Sequence, residues 1–141
     1  MTPSQNDGRI DSTRAAELRP TVLVVEDEDS LRAGIRRLLQ NEGYNVVEAQ
    51  NGATALQLLE GAAPDSIALV LTDLRMPIMD GRQLASALAR RRPSLPIVFM
   101  SGFTAQLMDL RLVSPNLAFL AKPFRNDDLL AAVRSQLGRS R

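Results

Sequence analysis

Residues 67–81 read IALVLTDLRMPIMDG. Five of the first six are apolar, the pattern of a strand covered on both faces, and Asp73 stands where that strand must leave its sheet. Pro77 has no N–H to offer a ladder and keeps the strand from running on. Asp80-Gly81, with Gln83 three residues after Asp80, predicts the N-cap of a following helix. The unit is strand, acidic tip, loop, helix. Ligands of open parallel sheets bind outside the carboxyl ends of the strands, which makes Asp73 a candidate for chemistry; a lone Asp after a strand is commonly only a turn or cap residue.

Working outward, Thr21–Val25 is a β-branched run that ends in Glu26-Asp27-Glu28-Asp29. Glu28 and Asp29 suit the positive end of the helix that follows. That helix carries Leu31, Ile35, Leu38 and Leu39 on one stripe and closes at Gly43, with Arg32, Arg36 and Arg37 expected on a solvated face. Tyr44–Glu48 predicts a second strand, and Asn51-Gly52 precedes a helix with Ala55, Leu56 and Leu59 inward. Beyond the central unit, a helix from Gly81 to about Arg92 ends in Arg90-Arg91-Arg92, cations that complement a helix C-terminus. Leu95–Met100 predicts a fourth strand leading to Ser101-Gly102, and Thr104 to about Leu112 a short, weakly patterned helix. Leu117–Ala121 predicts a fifth strand leading to Lys122-Pro123, and a last helix, capped by Asn126 or Asp127, runs to about Gly138 with Leu129, Val133 and Leu137 inward. Five strands alternate with five helices. Right-handed crossovers make this a doubly wound five-stranded parallel sheet over residues 20–138, with 1–19 a flexible tail or linker and 139–141 a short tail.

Composition narrows the chemistry. A chain of 141 residues, 45% hydrophobic and 23% charged, suits one domain with its own core. A net charge of +1 gives no electrostatic pull toward nucleic acid or a membrane surface, and no apolar run has the length of a membrane span. Without Cys there are no disulfides or thiolate metal sites, and without His there is neither an imidazole base nor an imidazole ligand. Carboxylates, hydroxyls and amines remain. Of 17 basic residues only Lys122 is a lysine, so a sequence that uses Arg everywhere else uses a compact ammonium here.

The polar residues at strand ends now fall together. Glu26 and Asp27 follow the first strand, Asp73 ends the third, Ser101 follows the fourth and Lys122 the fifth. In a parallel sheet these ends share one edge. Two carboxylates about 4 Å apart repel by roughly 4 kcal/mol at an effective dielectric near 20, so their protons return or a cation neutralises them. Lys122 supplies one charge, and the balance suggests a hard divalent ion held by oxygens, Mg²⁺ first, which keeps waters and welcomes a phosphoryl group. No Gly-rich phosphate cradle occurs, which turns attention from a nucleotide site to a carboxylate of the protein as phosphoryl acceptor.

Val24-Val25-Glu26-Asp27-Glu28, Thr72 through Gly81, Met100-Ser101-Gly102 and Leu120-Ala121-Lys122-Pro123-Phe124 together resemble the receiver domain of two-component response regulators and hybrid histidine kinases, over about residues 20–138. The resemblance implies a flavodoxin-like sheet of strand order 2-1-3-4-5. It implies that Asp73 accepts phosphate from the phosphohistidine of a histidine kinase or phosphotransfer protein, and that Glu26, Asp27, Asp73 and the backbone carbonyl of Arg75 hold Mg²⁺. Ser101 then bonds the phosphoryl group and moves on activation, Lys122 pairs with Asp73 or its phosphoryl oxygen, and Pro123 follows a cis peptide. Phe119 stands where many receivers have a switching Tyr, and Glu26 where an Asp is common. An output protein would dock on the surface made by the helix near Thr104–Arg111, the strand Leu117–Ala121 and the last helix. A cytoplasmic protein is implied, with no nucleic acid or membrane partner, and not an enzyme beyond its own phosphorylation and dephosphorylation. With the given chain ending at Arg141, the expectation is a stand-alone receiver or one cut from a hybrid kinase.

Two other classes are weighed against this. A phosphatase of the haloacid-dehalogenase type using Asp73 wants a second acid two residues on, where Arg75 stands. A pseudo-receiver serving only as a protein-interaction module leaves the acids structural, and a Mg²⁺ titration separates it from a phospho-acceptor.

Overall fold

The apolar runs pair side by side as one parallel sheet. In the computed structural model, which describes residues 19–62, 66–102 and 117–139, the elements are β1 (Thr21–Val25), α1 (Asp29–Asn41), β2 (Asn45–Ala49), α2 (Gly52–Gly61), β3 (Leu69–Asp73), α3 (Gly81–Arg91), β4 (Ile97–Ser101), β5 (Leu117–Ala121) and α4 (Asn126–Arg139). The sheet order is β2-β1-β3-β4-β5, the flavodoxin-like arrangement expected. Four helices lie among the described residues; the one expected over Thr104–Leu112 falls outside them.

Alternation along the strands divides the core in two. Leu23, Val25, Val70, Ile97 and Phe99 face α2 and α3 with Ala55, Leu59, Leu84 and Leu88. Val22, Val24, Leu69, Leu71, Val98 and Met100 face α1 and α4 with Ile35, Leu39, Leu129 and Val133. Both faces of β3 are therefore covered, which is why its sequence is apolar without a polar alternation. Leu31 and Leu38 sit partly buried at the margin of the second core.

Local chemistry ends the elements largely as the sequence indicates. Asp80 Oδ1 accepts from Gln83 N at 2.9 Å and Gln83 Oε1 from Asp80 N at 3.0 Å, a complete capping box. Asn51 caps α2 by accepting from Thr54 N at 2.9 Å, and Gly43 leaves α1 at φ 94°. Some readings need correction. The second strand begins and ends one residue later than read, and the fourth runs from Ile97 to Ser101, carrying Ser101 into the ladder. Asn126 is already helical; Asp128 Oδ2 reaches back to Arg125 N at 3.4 Å, so the start of α4 is secured from inside its first turn. Arg32 and Arg36 do not lie on a solvated face but both meet Glu48 on β2, because α1 packs beside that strand. Arg92 is likewise more than a helix-end cation, since its Nη2 donates to Leu59 O at 2.6 Å while Arg91 pairs with Glu60, tying α3 to the end of α2.

Candidate functional site

Register brings the strand ends level. Val25 pairs with Thr72 across β1 and β3, Asp73 with Met100 across β3 and β4, and Ser101 with Ala121 across β4 and β5. Asp73 is the last residue of β3, and Glu26 and Lys122 lie one step past the last rungs of β1 and β5. Carboxylate oxygens of Glu26, Asp27 and Asp73 lie within 4.8 Å of one another. Lys122 Nζ sits between two of them, 3.1 Å from Glu26 Oε1 and 3.1 Å from Asp73 Oδ2. Of the five strand-end residues read from the sequence, four thus form one contact cluster. Ser101 is buried at the adjoining strand end, where its carbonyl accepts from Lys122 N at 2.9 Å. The Lys122–Pro123 peptide is cis, as the resemblance implies.

Each acid is held differently. Glu26 is 1% exposed, yet its oxygens are satisfied: Oε1 by Lys122 and Oε2 by Glu28 N at 3.1 Å. Asp73 keeps some exposure; its Oδ1 accepts from Leu74 N at 2.8 Å and its Oδ2 from Lys122. Asp27 is exposed at the mouth. Burial pushes the Glu26 carboxyl up from 4.5 to about 7; the Glu28 N–H opposes it, Asp27 and the Asp73 charge add to it, and Lys122 opposes it. Burial lowers the Lys122 ammonium, but the hydrogen bonds and charges of Asp73 and Glu26 outweigh that and hold its pKa above the ordinary value. The cluster is short of positive charge. An all-oxygen donor set with one buried, poorly ionised member suits a hard divalent cation, and the residues fit one.

The loop from Asp73 to α3 turns back tightly. Gly81 N donates to Leu74 O at 3.0 Å, and a Cβ at Gly81 would run into the Asp73 carbonyl oxygen, so only glycine lets the helix start so close to the acidic tip. Arg75 stands exposed at the start of this loop, on the acid edge. Phe119 is half-buried in β5, in register with Phe99, and packs against the core facing α2 and α3. By strand alternation Ser101 and Phe119 share that face. The Thr104–Arg111 part of the expected output surface lies outside the described residues.

Sequence reasoning missed Arg32. Its Nη1 donates to the Glu26 carbonyl at 2.8 Å, directly behind the acid pair. Its only sequence signal is a position one turn into α1, close behind the acidic run.

Comparison with known proteins agrees with this geometry. The family model described as response regulator receiver domain matches residues 22–134. The sensor kinase CckA of Brucella abortus is 37% identical over 118 residues, covering 83% of this chain and 12% of the kinase. The transcriptional regulatory protein PdtaR of Mycobacterium tuberculosis is 37% identical over 122 residues, covering 85% of this chain and 58% of the regulator. The chain therefore spans only part of these relatives. Among solved structures, a response regulator receiver protein from Sinorhizobium medicae superimposes with a TM-score of 0.79 at 29% identity, covering 88% of this chain and 98% of that one. The family match begins in β1 and runs into α4, across every element that carries Asp73, its neighbouring acids and Lys122: the chain belongs to the response regulator receiver domain family of two-component systems.

Proposed function

We propose that the chain is a Mg²⁺-dependent phospho-acceptor in which Asp73 takes a phosphoryl group from a phosphohistidine of a histidine kinase or phosphotransfer protein. The observation that carries this reading is the single ammonium of Lys122 bridging Glu26 and Asp73 at 3.1 Å each, inside a cluster of three carboxylates. An Asp73 oxygen forms the new O–P bond as the P–N bond of the donor breaks, and the electron pair of that bond returns to the imidazole. Leu74 N–H on Oδ1 and Lys122 on Oδ2 fix the plane of the acceptor carboxylate, so that it meets phosphorus in line. Lys122 then balances charge on the transferring oxygens. Glu26, Asp27, Asp73 and the carbonyl of Arg75 would hold the cation, which when bound would supply charge neutralisation for the phosphoryl oxygens.

Ser101, buried beside Lys122, bonds the phosphoryl group and with Phe119 passes the change to the expected face of β5, α4 and the Thr104–Arg111 segment of the sequence, where an output protein docks. The chain turns over no other substrate; it catalyses only its own phosphorylation and dephosphorylation. It works in the cytoplasm, where kinases are supplied with ATP, without nucleic acid or membrane as partner; among the described residues no helix is long and apolar enough to cross a membrane.

The test needs no cognate kinase. Protein incubated with acetyl phosphate and Mg²⁺ is expected to carry one phosphoryl adduct by mass spectrometry, lost with chelator and lost in Asp73→Asn. Equal labelling of Asp73→Asn overturns the assignment, and no labelling of the wild type favours a phosphorylation-independent interaction module.

A further inference from the structure

Arg32 is held on every edge of its guanidinium. Its side chain is 13% exposed. Nη1 donates to the Glu26 carbonyl at 2.8 Å, Nη2 to Asp29 Oδ1 at 2.7 Å, and Nε faces Glu48 Oε1 at 3.4 Å. Glu48 belongs to β2, and its second oxygen is held by Arg36 at 3.1 Å. The fork therefore joins three places: the first turn of α1, the edge strand β2, and the peptide between Glu26 and Asp27.

That peptide lies just beyond the last rung of β1, where Glu26 N still donates to Ala49 O at 3.0 Å and the ladder stops. We propose that Arg32 is a positioning residue for metal binding, acting on Asp27 through the plane of the Glu26–Asp27 peptide. The inference rests on the metal reading above. A peptide is rigid: the carbonyl oxygen of Glu26 and the N and Cα of Asp27 lie in one plane. Pinning the oxygen fixes the N–Cα bond of Asp27, the axis about which its side chain swings, and so narrows where its carboxylate can stand. Glu26 has less need of this, because Lys122 and Glu28 N already hold its two carboxylate oxygens. Asp27 is exposed, with no core packing to aim it and only the neighbouring Glu26 carboxyl bonded to its side chain, so the backbone that carries it does most to set its direction. The three oxygens meet three different nitrogens of a planar fork; an ammonium has three N–H donors, but all on one nitrogen, which does not reach oxygens spread around the rim of a guanidinium. The requirement is for Arg and not for charge.

The test is a Mg²⁺ titration of the full chain without phosphodonor, at constant ionic strength, followed by the amide shifts of Asp27 and Leu74. Wild type, Arg32→Lys, Arg32→Gln and Glu48→Asp are compared. Second-sphere groups that orient a ligand are worth about 10–100-fold in metal affinity. Both Arg32 variants are expected to bind Mg²⁺ about tenfold more weakly, Lys no better than Gln, and Glu48→Asp to weaken binding by a smaller factor. An Arg32 acting by charge alone gives the opposite pattern: Arg32→Gln tightens binding by removing a cation near the site, and Arg32→Lys binds as wild type. That result, or equal affinity in all four proteins, overturns the inference. Where an Arg32 variant fails to fold, Glu48→Asp decides alone, since it keeps the charge, leaves Arg32 in place and shortens the reach of its anchor; unchanged affinity there overturns the inference. A wild type without Mg²⁺-dependent shifts overturns the metal reading itself, and this inference with it.

Discussion

Glu26 is the residue at which the site's electrostatic strain collects. Its folded pKa of about 7 stands above the ordinary 4.5, so between these values the folded state holds a proton that the unfolded state has released. The sign follows: in the metal-free protein this contribution is fully present below about pH 4.5 and is lost as pH rises through about 7. Thermal midpoints of metal-free protein are expected to fall over that window, while added Mg²⁺ raises the midpoint more at pH 8 than at pH 5.5, because the proton competes with the cation. A flat profile that Glu26→Gln leaves unchanged removes Glu26 from this role. Lys122 is the counterpart. One ammonium reaches two carboxylates 3.1 Å away on either side, a geometry that a planar guanidinium does not reproduce. Lys122→Arg is expected to fold with a normal circular dichroism spectrum yet to label with acetyl phosphate about 100-fold more slowly, the usual cost of losing a donor that meets developing charge. Labelling at the wild-type rate shows that the site needs only a positive charge. Both residues were legible in the sequence, one as an acid at a strand end and the other as the chain's single lysine. Arg32 was not, because its period within α1 says which side of the helix it occupies and nothing of Glu48 lying across from it.

The loop between β3 and α3 is the element in which folding and function compete. It must leave Asp73 and start a capped helix within seven residues, and Gly81 answers that demand by closing against the Asp73 carbonyl. Ile78 sits at φ 70°, a left-handed conformation that disfavours a β-branched residue, and is 81% exposed, so no burial offsets it. Left-handed backbone costs an ordinary residue about 1–2 kcal/mol, while Asn bonds its own backbone and visits the region readily. Ile78→Asn is therefore expected to stabilise the fold by about 1 kcal/mol in urea denaturation, with the same slope and unchanged acetyl phosphate labelling. A lower midpoint means that Ile78 gains contacts worth more than its strain. The cap of this helix was readable from Asp80 and Gln83, since a capping box is local. The tight return was not, because the pattern that marks Gly81 as a turn residue cannot say that Asp73 lies above it.

At the scale of the whole molecule, the order of strands and helices was readable because each strand is a short apolar run closed by a polar residue, and the handedness of crossovers leaves few ways to join them. Pairing partners and register are set by packing on both faces, so boundaries drifted, most visibly where Ser101 proved to be the last rung of β4. That shift matters for signalling. Ser101 and Phe119 lie on one face of neighbouring strands, one diagonal step apart, and Phe119 pairs with Phe99 in the core. On the proposed function, a phosphoryl group with nearly two negative charges at Asp73 would offer the Ser101 hydroxyl a strong acceptor, and the room it vacates would fall on the face it shares with Phe119. A phenyl ring can follow that space but brings no hydroxyl to lock the new position, so the response expected from the proposed function is a population shift and not a latch. Amide and aromatic shifts with and without beryllofluoride as phosphoryl mimic are expected to change at Asp73 and Ser101 and to reach Phe119, while the strands β1 and β2 below the acid edge stay fixed. Changes confined to Asp73 and its adjoining loops overturn the relay through β4 and β5, and leave the molecule a carrier of phosphate without a surface that reports it.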